Sequence, residues 1–401
     1  MAEQLNYQCK FSKYKEELIR LRRHFHRHPE LGLQEFETSA FIRDYLGKLG
    51  YRLQLVEPTG IIAEHPSQDG EAIASKKKIV LRAEMDALPI QEQTGLSYKS
   101  EKDGVMHACG HDGIVATALV LARIVAEEGE RFPVRMRFLF EPAEEIGEGA
   151  RRMLAAGALD GNPDAFLMFH YAVDQSFGMA VHEGQASAMI NGMEIRVHGK
   201  SSHWCEADKG IDSIYAASLV VEAFHEINRT YKGRGPCLVG IGSIHGGEYA
   251  NIITDLVTMR GNIRAAYEED YLALDKKLKE SLKDIEARTE TRIELVYPKP
   301  VVLPFANDPG LTRIAEKAGR NIFGERFFLE GEDQLFLSGD NAYRYFQKTK
   351  GLFCVFLAGI PEKVYPLHHP KFQFDEEILL YSLETLYELV STLKSLPESC
   401  R

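Results

Sequence analysis

Several short segments of this chain hold residue types that can bind a divalent metal and activate water. The densest is His107-Ala-Cys-Gly-His-Asp-Gly113, where Cys109 and His111 stand two apart, His107 precedes them and Asp112 follows. A thiolate beside imidazole nitrogen suits Zn²⁺ and its divalent relatives. The plainer reading of the same letters is a small buried cysteine beside a histidine that starts a helix. In Arg82-Ala-Glu-Met-Asp-Ala-Leu-Pro89, Glu84 and Asp86 are also two apart. On extended chain that spacing shares a face, so both carboxylates can enter one cleft. Phe140-Glu-Pro-Ala-Glu-Glu-Ile-Gly147 carries adjacent carboxylates at Glu144 and Glu145. Neighbours in regular structure cannot aim at the same atom, so one can bind metal while the other addresses water, a division that metal-assisted hydrolysis needs. Taken alone, the pair reads more plainly as a solvated acidic helix start stabilised by the helix dipole. Two further histidines, His170 after the apolar run 165–169 and His368 in Pro366-Leu-His-His-Pro370, complete the set.

Such residues need elements that gather them. The apolar runs 79–83, 134–140 and 165–169 read as strands, and each ends at one of the segments above. Helical periodicity marks 14–28, 35–49, 114–128 and 149–157, with Gly50 placed to stop the second. Strands alternating with helices predict an α/β fold whose mixed, largely parallel sheet is covered by helices on both faces. Open sheets of this kind place their sites outside the carboxyl ends of the strands.

From about Ser187 the texture changes to strand 189–198, helix 211–227, strands 238–244 and 256–264, a charged helix 268–289 and strand 292–297. That β-α-β-β-α-β order is a self-contained α+β, ferredoxin-like unit and reads as an insertion. The chain then returns to the first domain, with helix 311–322, strand 353–358 and a closing helix 376–393. The expected division is 1–186 with 302–401 for one domain and 187–301 for the insert.

The chain has 401 residues, long enough for two or three domains that each bury a core. Its 48 Lys+Arg against 59 Asp+Glu give a net charge of −11, and no dense basic block occurs, which argues against nucleic acid as the main partner. The first 15 residues are too polar for an export signal, and no apolar run is long enough to span a membrane. Six dispersed cysteines (Cys9, Cys109, Cys205, Cys237, Cys354, Cys400) form no CxxC pair and no dense framework. They fit a cytoplasmic protein with reduced thiols.

Together the segments resemble the zinc-peptidase-like family of aminoacylases, hippurate hydrolases and indole-acetyl-amino-acid amidohydrolases. The resemblance rests on His26-Arg-His-Pro-Glu-Leu-Gly32, the run Arg82 to Ile90, Met106 to Gly113, and Glu141 to Met153. In the insert it rests on Gly246-Gly-Glu-Tyr-Ala-Asn251 and Gly261-Asn-Ile-Arg264. It implies a di-metal exopeptidase-like catalytic domain interrupted by a lid that often supports dimerisation. By the same resemblance Cys109, His111, Glu145, His170 and His368 would hold two divalent ions, zinc, manganese or cobalt, with Glu144 as general base. Asp86 would orient a ligand, and His203 of the lid would approach the scissile carbonyl with Asn251 nearby. The implied reaction is hydrolysis of an N-acyl amino acid to a carboxylic acid and a free amino acid; a small-molecule substrate, no membrane or nucleic acid partner, and a homo-oligomer through the lid go with it. A dipeptidase or carboxypeptidase of the same fold, and a non-catalytic metal-binding relative, are the rival readings. The sequence departs from the family pattern at Glu84, where Asp is usual, at Ile114, at Ser201-Ser202, in 204–210 and in Ser338-Gly-Asp-Asn341.

Overall fold

The computed structural model describes residues 9–68, 71–174, 176–331 and 335–394, so Cys400 and the first eight residues of the amino terminus lie outside the described part. The chain forms two compact units, one of Met1–Gly184, Ala306–Glu330 and Asn341–Arg401, the other of Gln185–Phe305 and Gly331–Asp340. The segment Gly331–Asp340, which the sequence assigns with its neighbours to the first domain, therefore groups with the second unit.

The first unit is built on an eight-stranded sheet. Its order is Arg52–Val56, Gly60–Glu64, Arg135–Glu141, Lys78–Glu84, Ala165–Ala172, Gly351–Ala358, Phe177–His182 and Phe327–Glu330. The four strands from Arg135–Glu141 to Gly351–Ala358 run parallel to one another, whereas the two pairings at the Arg52–Val56 edge and the Gly351–Ala358 pairing with Phe177–His182 are antiparallel. The central strands are buried on both faces, which is why they read as unbroken apolar runs rather than alternating ones. Ala165–Ala172 extends three residues past the apolar run, so His170 lies inside the strand, paired with Val355, and not beyond its end.

The helix His111–Glu128 is buried almost all round, its 14 buried residues including Val115, Leu119 and Ile124. It begins three residues before the predicted start, because Gly110 at φ +84° makes the turn into it, and His111 becomes its first residue.

In the second unit the four-stranded sheet has the order Arg292–Val296, Met189–His198, Leu256–Ala265, Cys237–His245, antiparallel throughout. Met193, Ile195 and Val197 alternate with more exposed neighbours and face a core shared with Val220 and Phe224 of helix Ser213–Thr230 and Leu278 of helix Glu268–Thr289. No helix among the described residues is long and apolar enough to cross a membrane.

Candidate metal centre

Each predicted metal-binding residue of the first unit belongs to, or follows, one of the four parallel strands. Asp86 and then His111 follow Lys78–Glu84, Glu144 and Glu145 follow Arg135–Glu141, His170 is in Ala165–Ala172, and His368 follows Gly351–Ala358. The carboxyl ends of neighbouring strands bring these distant segments together.

Ligand atoms of Cys109, His111 and His170 lie within 4.8 Å of one another, and so do those of Cys109, Glu145 and His368, and those of His111, Glu144 and Glu145. Cys109 is common to the first two groups. Its Sγ is 3.5 Å from His170 Nε2, and His368 Nε2 is 3.5 Å from Glu145 Oε1. Two of the imidazoles are oriented by carbonyl groups: His111 Nδ1–H donates to Asp86 O at 2.8 Å and His170 Nδ1–H to Tyr171 O at 2.8 Å. In both rings that leaves Nε2 for a ligand. Asp86 Oδ2 accepts the Glu145 backbone N–H at 3.0 Å.

The residues fit a cation. Glu145 Oε1 is buried without a hydrogen bond. Burial pushes the Cys109 thiol well above its usual range, so a nearby cation is what would let it act as a thiolate. Glu145 is lowered to about 2: burial opposes this, but His368 and the charge of His111 outweigh it. The donor set of sulfur, imidazole and carboxylate suits the zinc class of ions.

Behind this cluster lie two buried charge networks. Arg22 and His26 both meet Asp112 Oδ2, at 3.2 and 2.8 Å; His26 also lies 3.3 Å from Glu92, and Arg22 3.0 Å from Glu376. Burial would raise the Asp112 carboxyl, yet Arg22 and His26 hold it well below the ordinary carboxylate range. In the second network Arg82 reaches Glu84 at 2.7 Å, Glu141 at 2.9 Å and Asn341 at 3.1 Å, while the Tyr345 hydroxyl donates to Glu141. The expectation that Glu84 enters the cleft with Asp86 is thus corrected: Glu84 is committed to a fully buried ion pair. Arg82 is two residues away on the same face and neutralises it. Asn341, from the segment that only loosely echoes the family, belongs to the same network.

His203 and Asn251 belong to the second unit, where both are exposed. They are neighbours there: Ser202–His203 pairs with Ile252–Ile253, and Trp204 N donates to Asn251 O at 3.1 Å. His203 Nδ1 accepts the Cys205 N–H at 3.1 Å and so caps the turn Trp204–Lys209.

The family model for peptidase family M20/M25/M40 matches residues 80–392. The N-acetyl-L-cysteine deacetylase of Bacillus subtilis is 31% identical, over 95% of this chain and 89% of its own length. The hippurate hydrolase of Campylobacter jejuni is 31% identical over 90% of this chain and 93% of its own. Among solved structures, the Bacillus subtilis YXEP protein, described as a dinuclear metal binding peptidase from the M20 family, superposes with a TM-score of 0.76 at 29% identity, covering 96% of this chain and 99% of that one. The chain belongs to peptidase family M20/M25/M40, and with it is a hydrolase of amide bonds.

Proposed function

We propose that this protein cleaves the amide bond of N-acyl amino acids, releasing a carboxylic acid and a free amino acid, with two divalent ions of the zinc, manganese or cobalt class held by Cys109, His111, Glu145, His170 and His368. The observation that carries the reading is the pair of donor groups sharing Cys109, with the Glu144 carboxylate beside them. The ions would supply Lewis acidity to the carbonyl and to the attacking water. Glu144 then takes a proton from that water and returns it to the leaving amine. Asp86 keeps His111 and the Glu145 backbone in place.

In this reading the second unit is a lid. The Cys205 N–H on His203 Nδ1 favours the tautomer with the proton on Nε2, the atom that would donate to the developing oxyanion, and Asn251 would hydrogen-bond the substrate. A homo-oligomer would use the same unit, whose edge strand Cys237–His245 exposes Leu238 and Ile244. Five cysteines without a disulfide (Cys9, Cys109, Cys205, Cys237, Cys354) suit the cytoplasm.

The relatives named as acting on N-acyl amino acids favour this substrate class; the neighbour described as a peptidase favours dipeptides as the second reading. A panel of N-acetyl and N-benzoyl amino acids and dipeptides, offered to metal-reconstituted protein with the released amine as readout, separates the two. Release from dipeptides alone would overturn the first reading.

A further inference from the structure

Glu35 plays no part in the reading above. It precedes the helix Phe36–Lys48 and is fully buried, and its carboxylate bridges two distant segments. Oε1 accepts the Ala143 backbone N–H at 2.8 Å, and Oε2 accepts the Thr59 hydroxyl at 2.6 Å. Ala143 immediately precedes Glu144 and Glu145. Its φ of +56° lies in the left-handed region, which a residue bearing a Cβ rarely adopts. On the other side of the turn, Ala143 O accepts the N–H groups of Glu148 and Gly149 at 3.1 and 3.3 Å. Gly32 lets the Glu35 segment close on this turn: a Cβ there would stand 3.1 Å from Ala143 Cα and 3.3 Å from Asp86 Oδ2. Ala87 N also donates to Glu30 O at 2.8 Å, so residues 30–35 brace the Asp86 segment and the Ala143 turn together.

The geometry points to Glu35 as a positioning residue that holds Ala143 in its left-handed conformation, and thereby separates the aims of Glu144 and Glu145. The inference rests on the proposed roles of those two carboxylates. A change of φ at Ala143 would swing both side chains that follow it, and a displacement of about 1 Å at a reacting group can lower turnover by about 100-fold.

Three variants test it. Glu35→Met removes the acceptor at similar size. Glu35→Gln keeps an acceptor oxygen for the Ala143 N–H. Adding Ala143→Gly to Glu35→Met lets the turn form without the anchor, because glycine takes positive φ readily. Amide hydrogen exchange over residues 140–149, measured with and without metal, reports the turn independently of turnover. Glu35→Met is expected to speed that exchange by roughly 10-fold and Glu35→Gln to leave it near wild type. On an N-acyl amino acid that the wild type cleaves, Glu35→Met is expected to lower kcat by about 10- to 100-fold with KM little changed, and Ala143→Gly to recover most of the loss.

Unchanged exchange in Glu35→Met would overturn the proposal. So would a kcat loss that Ala143→Gly does not recover at equal metal content and Tm. If Glu35→Met does not fold, Thr59→Val loosens the same carboxylate and is expected to raise exchange about 3-fold; no rise would sink the idea. Should the wild type cleave no N-acyl amino acid, the functional reading falls, while the exchange comparison still decides whether Glu35 holds the turn.

Discussion

Asp86 accepts the backbone N–H of Glu145 on its carboxylate at 3.0 Å, and the main-chain oxygen of the same residue accepts His111 Nδ1–H at 2.8 Å. One residue thus fixes two of the proposed ligands by two different atoms. Asp86→Ala removes the first of these bonds and the carboxylate oxygen 3.5 Å from His111 Nδ1 but keeps the main-chain bond to His111, so the Glu145 loop loosens more than the imidazole does. Metal affinity, titrated into chelator-treated protein, is expected to fall by roughly 10- to 100-fold. An unchanged affinity would mean that the carboxylate does not support the site.

Glu144→Gln preserves shape and hydrogen bonding but cannot take a proton from water. Turnover is expected to fall by about 100-fold or more with metal content unchanged. Near-normal turnover would move the proton-accepting role to another carboxylate.

Cys109 is common to two donor groups, so Cys109→Ala should deplete more metal than His170→Ala, which touches one of the two. Metal analysis after dialysis checks this. Equal losses in the two variants would argue that Cys109 serves a single ion.

His203→Ala is expected to lower kcat more than it raises KM, because a hydrogen bond to the oxyanion strengthens as charge develops. The cap on Trp204–Lys209 is the competing role. If steady-state kinetics show a change in KM alone, His203 shapes the loop and does not touch the reacting carbonyl.

His26 gives a pH dependence. Burial acts to lower its pKa, but the hydrogen bonds its ring N–H groups donate to Asp112 and Glu92 outweigh this and raise it above the ordinary value of 6.5. A raised histidine contributes stability that is fully present below about pH 6.5 and is lost as pH rises through its folded value. His26→Gln should therefore lower Tm most near pH 6, by roughly 5 °C, and progressively less in alkaline buffer. A Tm difference that is flat with pH would show that His26 is neutral in the fold.

Much of the architecture was legible because it is written in local periodicity. The strand Met189–His198 and the helix Glu268–Thr289 have the limits their patterns predict. Strands at and near the sheet's edges were not legible. Arg52–Val56 is largely exposed and carries no apolar run, and Phe177–His182 contains Gly178, which sits where a Cβ would meet Arg326 O at 2.2 Å. Close backbone approach of this kind depends on a partner about 150 residues away and leaves no trace in the neighbouring letters.

The metal-competent residues were found because Cys, His and adjacent Glu are chemically conspicuous. The residues that hold them were harder to see. Glu35 reads as an ordinary acidic residue at a helix start, and Ala143 as an ordinary small residue; their relationship spans 108 positions. Glu84 misled for the same reason, since the spacing to Asp86 was visible but the competing partner Arg82 reads simply as part of the strand.

The place of Gly351–Ala358 in the sheet has a consequence for the chain during its synthesis. This strand lies between Ala165–Ala172 and Phe177–His182, yet it follows the whole of Gln185–Phe305 in sequence. At roughly 5–20 residues per second, the ribosome needs on the order of 10 to 40 s to go from one neighbour to the strand that must sit beside it. Through that interval Ala165–Ala172 presents a bare apolar edge, the kind that pairs with other nascent chains. The expected vulnerability is aggregation at high rates of expression, and the remedy is a chaperone or a slower translation rate, with no change to the finished protein.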